Sequence, residues 1–171
     1  MSELKTIDLA GFAEVLRHSA KPVSVLWQQP DTLAFVARGR PHRNEFHVDP
    51  ADEVMYMIKG EMELHYIGTD GRRAVAVVRE GEILHCPAGT PHSPRFPPDA
   101  LLLVLERKRL PGEQDRFLWF CERCDSKLYE ATRIVADYDS DPVSSAYGEF
   151  YATEANRTCK RCGHVAPHPP G

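Results

Sequence analysis

The sequence predicts a mainly β fold, a sandwich or barrel of short strands, with a small metal-binding knuckle at the C-terminal end. Three observations predict it. Runs rich in β-branched and aromatic residues recur at short intervals, separated by turn signals. Two stretches among those runs, Gly39 to Gly60 and Gly81 to Phe96, concentrate imidazole and carboxylate side chains. Two CxxC pairs, Cys121 with Cys124 and Cys159 with Cys162, stand near the end of the chain.

Leu9, Phe12, Ala13 and Leu16 recur at helical spacing, so residues 7–18 read as an amphipathic helix, ended before Lys21-Pro22. Val23 to Trp27 and Thr32 to Arg38 read as strands about the turn Gln29-Pro30-Asp31. Further strands are expected at Glu53 to Lys59, Met62 to Ile67, Ala74 to Arg79, Ile83 to Cys86 and Ala100 to Arg107. Gly60-Glu61 and Thr69-Asp70-Gly71 mark two of the turns between them. The polar, turn-rich stretch KRLPGEQDRFL, residues 108–118, is the expected boundary between a domain at 1–112 and a C-terminal segment at 113–171. In that segment a strand is expected at Lys127 to Val135 and a helix at Ser144 to Thr153. The tail after Cys162, GHVAPHPPG, reads as extended.

With 42% hydrophobic and 27% charged residues, the 171-residue chain has the material for a core. A net charge of −4 gives nucleic-acid binding no electrostatic support. No apolar run reaches transmembrane length, and the N-terminus lacks the basic start and apolar run of a signal peptide. The expected compartment is the cytoplasm, with no membrane partner. In a reducing compartment paired CxxC thiols mean metal rather than disulfide.

The chemistry concentrates in the central stretch. On a regular strand Arg43, Glu45 and His47 share a face, and charges turned into a barrel must bind metal or substrate or pair with one another. Glu53 shares a face with Met55 and Met57, so its carboxylate enters with an apolar lining. His92 follows the turn Pro87-Ala88-Gly89-Thr90-Pro91 and opens a strand. Two imidazoles and one carboxylate form the set that suits a non-haem Fe(II) with open positions. Glu106 shares a face with Leu102 and Val104, so burial should raise its pKa and make it a candidate general base or partner of a polar substrate group. Taken singly, each of these residues is as readily structural, and Glu106 has arginines such as Arg43 or Arg107 available for pairing. The joint pattern is the specific signal. Cys86 keeps the parity of Leu84 and reads as packing.

The pattern resembles the two cupin motifs. Gly39, His47, Glu53 and Gly60 fall on the first, with Glu45 where its first histidine stands and a slightly longer step from histidine to glutamate. Gly81, Pro87, Gly89 and His92 fall on the second, with Phe96 in place of its asparagine. Along nearly its whole length the chain resembles bacterial 3-hydroxyanthranilate 3,4-dioxygenases. The stretches that carry this are PHRNEFHVDPADE, MYMIKGEMELHY, GRR, GEILHCPAGTPHSP, LVLERKR, FLWFCERC, EFYA and CKRCG. The resemblance implies a cupin, a double-stranded β-helix or jelly-roll barrel, with a rubredoxin-like knuckle. It implies Fe(II) held by His47, Glu53 and His92, and an O2-dependent, extradiol-type opening of a small aromatic ring that bears a hydroxyl beside an amine. Arg43 falls on the family's carboxylate-binding arginine and Glu106 on its acid/base glutamate. The family's second carboxylate-binding arginine falls on Phe96. Arg95, one residue earlier, should point away from the pocket unless a bulge re-aims it. The resemblance implies 3-hydroxyanthranilate as substrate; losing that arginine and gaining an aromatic wall points to a related ortho-aminophenol whose carboxylate is different, moved or missing.

The two CxxC pairs, 34 residues apart, suit a tetrahedral four-sulfur site for iron or zinc, which the resemblance implies to be structural. Two rival readings use the same barrel. One is another cupin enzyme, a thiol dioxygenase or an isomerase; the intact two-histidine, one-glutamate set argues against it. The other is a non-enzymatic ligand-binding cupin, which Arg43 and Glu106 beside that set disfavour. Strand edges left open in such barrels suggest a homodimer.

Overall fold

The computed structural model describes residues 4, 6–19, 21–40, 42–136, 138 and 141–169. The last two residues of the tail therefore lie outside the described ones. The chain runs α1 (Leu9–Arg17), β1 (Val23–Gln28), β2 (Leu33–Arg38), β3 (Phe46–Val48), β4 (Glu53–Lys59), β5 (Glu61–Ile67), β6 (Arg73–Arg79), β7 (Ile83–Cys86), β8 (His92–Arg95), β9 (Leu101–Glu106), β10 (Asp115–Phe120), β11 (Lys127–Arg133), α2 (Pro142–Tyr151) and α3 (Glu154–Arg157). Among the described residues no helix is long and apolar enough to cross a membrane.

The strands form two sheets, in the orders β1-β2-β9-β4-β7 and β11-β10-β3-β8-β5-β6. Each pairing between neighbours is antiparallel. This is the two-sheet, mainly β architecture expected. Alternation decides which side of each strand is buried. On β4, Glu53, Met55 and Met57 are buried and the residues between them less so. On β9, Leu102, Val104 and Glu106 share the inner face. The core between the sheets combines Met55, Met57, Met62, Leu64, Val78, Phe96, Leu102 and Val104. Burying each such side chain contributes about 1.5–3 kcal/mol. Helix α1 lays Ala13 and Leu16 on Val36 and Leu101, covering the outside of β2 and β9.

Two glycines of the central motif have steric reasons. A Cβ on Gly39 would meet the carbonyl oxygen of Phe96 at 2.0 Å, so the end of β2 passes this backbone only without a side chain. Gly60 turns β4 into β5 with φ +83°, in the left-handed region.

The stretch 108–118 divides at Asp115. Its first part is loop, and its second part begins β10, which pairs with β3 through Phe117 and His47. The polar residues hid this strand from the sequence. From β10 the chain reaches a second core, in which Trp119 stacks on Phe150 of α2 at 4.5 Å between ring centroids. The expected helix is present, shifted to start at Pro142.

The four cysteines meet at the end of this core. Each CxxC forms the same turn. Cys121 N–H donates to Ser126 O and Asp125 N–H to Cys121 O; Cys159 N–H donates to His164 O and Gly163 N–H to Cys159 O. Asp125 and Gly163 hold the equivalent left-handed position, at φ 59° and 70°. Asp125 pairs with Arg73 of β6, whose guanidinium lies over the rings of Phe46 and Phe120.

Candidate metal centre and active site

The two-histidine, one-carboxylate set comes from both sheets. His47 of β3 and His92 of β8 are cross-strand partners. Glu53 of β4 enters from the facing sheet, beside Glu106 of β9, its own cross-strand partner. One ligand-capable atom of each of His47, Glu53 and His92 lies within 4.8 Å of the others, and His92 and Glu53 are almost wholly buried. The structure thus brings together the three residues that the sequence singled out.

The electron pairs at this point suit a cation. His92 Nδ1 lies 3.0 Å from the carbonyl oxygen of Thr90, which accepts the Nδ1 proton and leaves Nε2 facing inward. That Nε2 lies 2.9 Å from Glu53 Oε2, yet this buried oxygen has no hydrogen-bond donor aimed at it. Two donors of electron pairs, close together and not bonded to each other, converge on a third partner. Burial alone would push the Glu53 carboxyl up, but the His92 and His47 imidazoles and Arg109 hold it below the usual range. Burial likewise opposes charge on His92, and the Glu53 carboxylate beside it raises His92 well above the usual histidine value. A proton and a cation therefore compete for the same space.

The surrounding shell fixes His47. Its ring stacks on Phe117 at 4.9 Å with 9° between planes, and its Nε2 is 2.8 Å from Asp115 Oδ2. Arg109, 3% exposed, grips both oxygens of Asp115 through Nε and Nη2, at 2.6 and 2.8 Å. The same guanidinium pairs with Asp49 and lies 3.2 Å from Glu106 Oε1. Burial opposes charge on Asp115, but these bonds from Arg109 and His47 pull its carboxyl down to about 2. Asp49 moves the other way, to about 9, because burial and the charges of Glu53 and Glu106 outweigh Arg109. Glu106 is raised too, first by burial and then by Glu53. The expected raised pKa of Glu106 is present. Its arginine partner is Arg109 rather than Arg43 or Arg107; Arg107 pairs instead with Glu113.

A cavity opens on this centre. Its apolar walls include Phe35, Ala37, Met55, Leu102, Val104 and Phe96, and its polar groups include Arg43, Glu106 and Tyr138. Tyr138 stacks on Phe35, and its ring faces the Arg109 guanidinium at 5.2 Å. Phe96 is 9% exposed and joins the barrel core as well as this wall. Arg95 does not line the cavity; it lines an adjoining outer groove, with Arg43 and Asn44. Cys86 is buried in the core with its sulfur 3.6 Å from His92 Nδ1.

Arg109, Asp115, Asp49 and Tyr138 escaped the sequence reading. Arg109 and Asp115 sit in the stretch taken for a linker, and the signal available was the recurrence of charge directly before the aromatic run Phe117 to Phe120.

The second metal group is the four-cysteine one. Cys121 Sγ lies 3.6 Å from Cys162 Sγ, and Cys124 Sγ 3.5 Å from Cys159 Sγ. Such separations are far beyond a disulfide bond and near the ~3.8 Å edge of a tetrahedron with metal–sulfur bonds of about 2.3 Å. The residues fit a tetrahedral thiolate site.

The model of one family, described as 3-hydroxyanthranilic acid dioxygenase, matches residues 1–151. A 3-hydroxyanthranilate 3,4-dioxygenase of Bacillus thuringiensis (strain Al Hakam) is 38% identical over 147 residues, covering 86% of this chain and 82% of that one. A protein of the same name from Xanthomonas campestris pv. campestris (strain B100) is 36% identical over 165 residues, covering 95% and 93%.

Proposed function

From the premise that the chain belongs to the 3-hydroxyanthranilic acid dioxygenase family, and so is a ring-opening dioxygenase of the cupin type with a metal cofactor, we propose that it opens the ring of 3-hydroxyanthranilate with O2 at an Fe(II) held by His47, Glu53 and His92. The observation that carries this reading is the meeting of those three side chains beside a cavity that His47, Glu53, Glu106 and Arg43 line.

Iron bound there supplies a redox-active Lewis acid to which substrate and dioxygen can both bind. The residues do the rest. Glu106, raised by burial, takes the proton of the substrate hydroxyl. Arg109 keeps that carboxylate in place, and Asp115, gripped by the same guanidinium, fixes the plane of His47. Arg43 meets the substrate carboxylate, its Nη atoms being left by a side chain that bonds through Nε. Phe96, Met55, Leu102 and Val104 hold the flat ring and exclude water. The carbon–carbon bond between the hydroxyl-bearing carbon and its neighbour away from the amine breaks, and both atoms of O2 enter the product, one completing a carboxylate at the former carbon and the other an aldehyde at the latter, which gives an unsaturated semialdehyde.

Phe96 favours a second reading. An aromatic wall with Arg95 outside the cavity suits an ortho-aminophenol whose carboxylate is moved or absent. The knuckle is read as a structural zinc or iron site. The proposed homodimer would pair through the open edge of β6; the exposure of Val75 and Val77, 50% and 41%, supports that choice.

The test is anaerobic loading with Fe(II), then oxygen uptake on 3-hydroxyanthranilate and a panel of ring-substituted 2-aminophenols. Uptake with 3-hydroxyanthranilate, lost together with bound iron in His47→Ala, is the expected result. Uptake restricted to the other aminophenols would move the assignment to the second reading. Full turnover by iron-free His47→Ala would overturn the metal assignment.

A further inference from the structure

The cavity arginine is held from outside the barrel. Arg43 Nε donates to Glu45 Oε1 at 2.7 Å. Glu45 is fully buried yet does not line the cavity. Its other oxygen accepts the hydroxyl hydrogen bond of Tyr147, from helix α2. Tyr147 Oη in turn accepts the Asn44 backbone N–H at 2.8 Å, and Asn44 Oδ1 accepts Trp119 Nε1–H at 3.1 Å. The Tyr147 ring stands edge-on to Trp119, 5.5 Å between centroids. A buried carboxylate with one donor on each oxygen has a single orientation, and an arginine bonded to it loses its rotamer freedom before any ligand arrives.

We propose that Tyr147 is a positioning residue for the ring-opening reaction: its phenol fixes Glu45, and through Glu45 presents Arg43 to an anionic substituent on the substrate. The inference rests on the reading of Arg43 as the carboxylate partner, and it gives the C-terminal segment a part in substrate binding as well as in folding. Burial and the Glu45 charge push the Tyr147 phenol far up, so it stays a donor across the working pH range. The effect belongs to the carboxylate, not to the ring.

The experiment uses the iron-loaded full chain and two ligands, 3-hydroxyanthranilate as substrate and 2-aminophenol, which lacks the carboxylate, as competitor. In Tyr147→Phe, which keeps the ring beside Trp119, KM for 3-hydroxyanthranilate should rise roughly tenfold while kcat holds within about twofold, and the Ki of 2-aminophenol should not move. Glu45→Gln should reproduce this split if Tyr147→Phe fails to fold. In an Arg43→Ala background, Tyr147→Phe should add nothing. An equal loss with both ligands would make Tyr147 merely structural and overturn the proposal, as would no change in KM. An Arg43→Ala variant that weakens both ligands alike would instead overturn the reading of Arg43, and the proposal with it.

Discussion

One buried guanidinium holds most of the site's negative charge in place. Arg109 meets Asp49, Asp115 and Glu106, and Asp115 passes that order to His47. The pH consequence follows from Asp115. Its carboxyl is lowered from the ordinary 3.8 to about 2, so its contribution to stability is complete above about pH 4 and is lost as pH falls through about 2. That shift is worth about 2 kcal/mol. In urea unfolding of the metal-free protein, Asp115→Asn should therefore be less stable than the parent by about 2 kcal/mol at pH 7, the gap closing as pH falls from 4 toward 2. A gap unchanged over that range would show that the pairing is not what stabilises Asp115. In the sequence His47, Glu53 and His92 were legible through their joint spacing and its resemblance to the cupin motifs, and Glu106 through the alternation of its strand. Arg109 was not: Glu106 and Asp115 lie close to it in the chain, but Asp49 is 60 residues away, and its neighbours Leu110, Pro111 and Gly112 signal a loop.

Among the elements, β4 and β9 were readable because their alternation is unbroken, and the cross-strand pair Glu53 and Glu106 follows from that register. Strands β3 and β8 are too short to carry a period, only three and four residues, and their place depends on pairing with each other and with longer neighbours. Strand β10 begins with Asp115 and Arg116, so polarity concealed it although Phe117 and Trp119 are buried. Strand β6 was located from its valines, but its role at an edge depends on topology. Its exposed Val75 and Val77 make a concrete prediction for the proposed dimer: if the parent sediments as a dimer, the double variant Val75→Asp, Val77→Asp should sediment as a monomer and melt near the parent temperature, since neither side chain is in the core. A parent chain that sediments as a monomer at micromolar concentration would remove the dimer.

At the scale of the molecule, the barrel and the knuckle share a sheet and are tied by the ion pair of Arg73 with Asp125. Strands β10 and β11 continue the sheet that carries His47 and His92, and Arg73 reaches Asp125 in the first cysteine turn. The sequence announced the cysteine site through its spacing alone but gave no hint of this continuity. If the four thiolates hold a structural metal, Cys159→Ser should lower the melting temperature by several degrees and expose the Trp119 environment to quenching, with iron still bound at His47, Glu53 and His92. Loss of both metals together would mean that the two centres fold as one unit.

His47 and His92 stand on one wall of the barrel and Glu53 on the other. An ion shared by these three would button the two walls together across the barrel. The cavity lining runs on to Arg40 and to Asp141, Pro142 and Val143, where Arg40 is bonded to Asp141 and Ser144. A flat guest approaching from that end would meet such an ion edge-first, which would limit the orientations in which its hydroxyl could arrive.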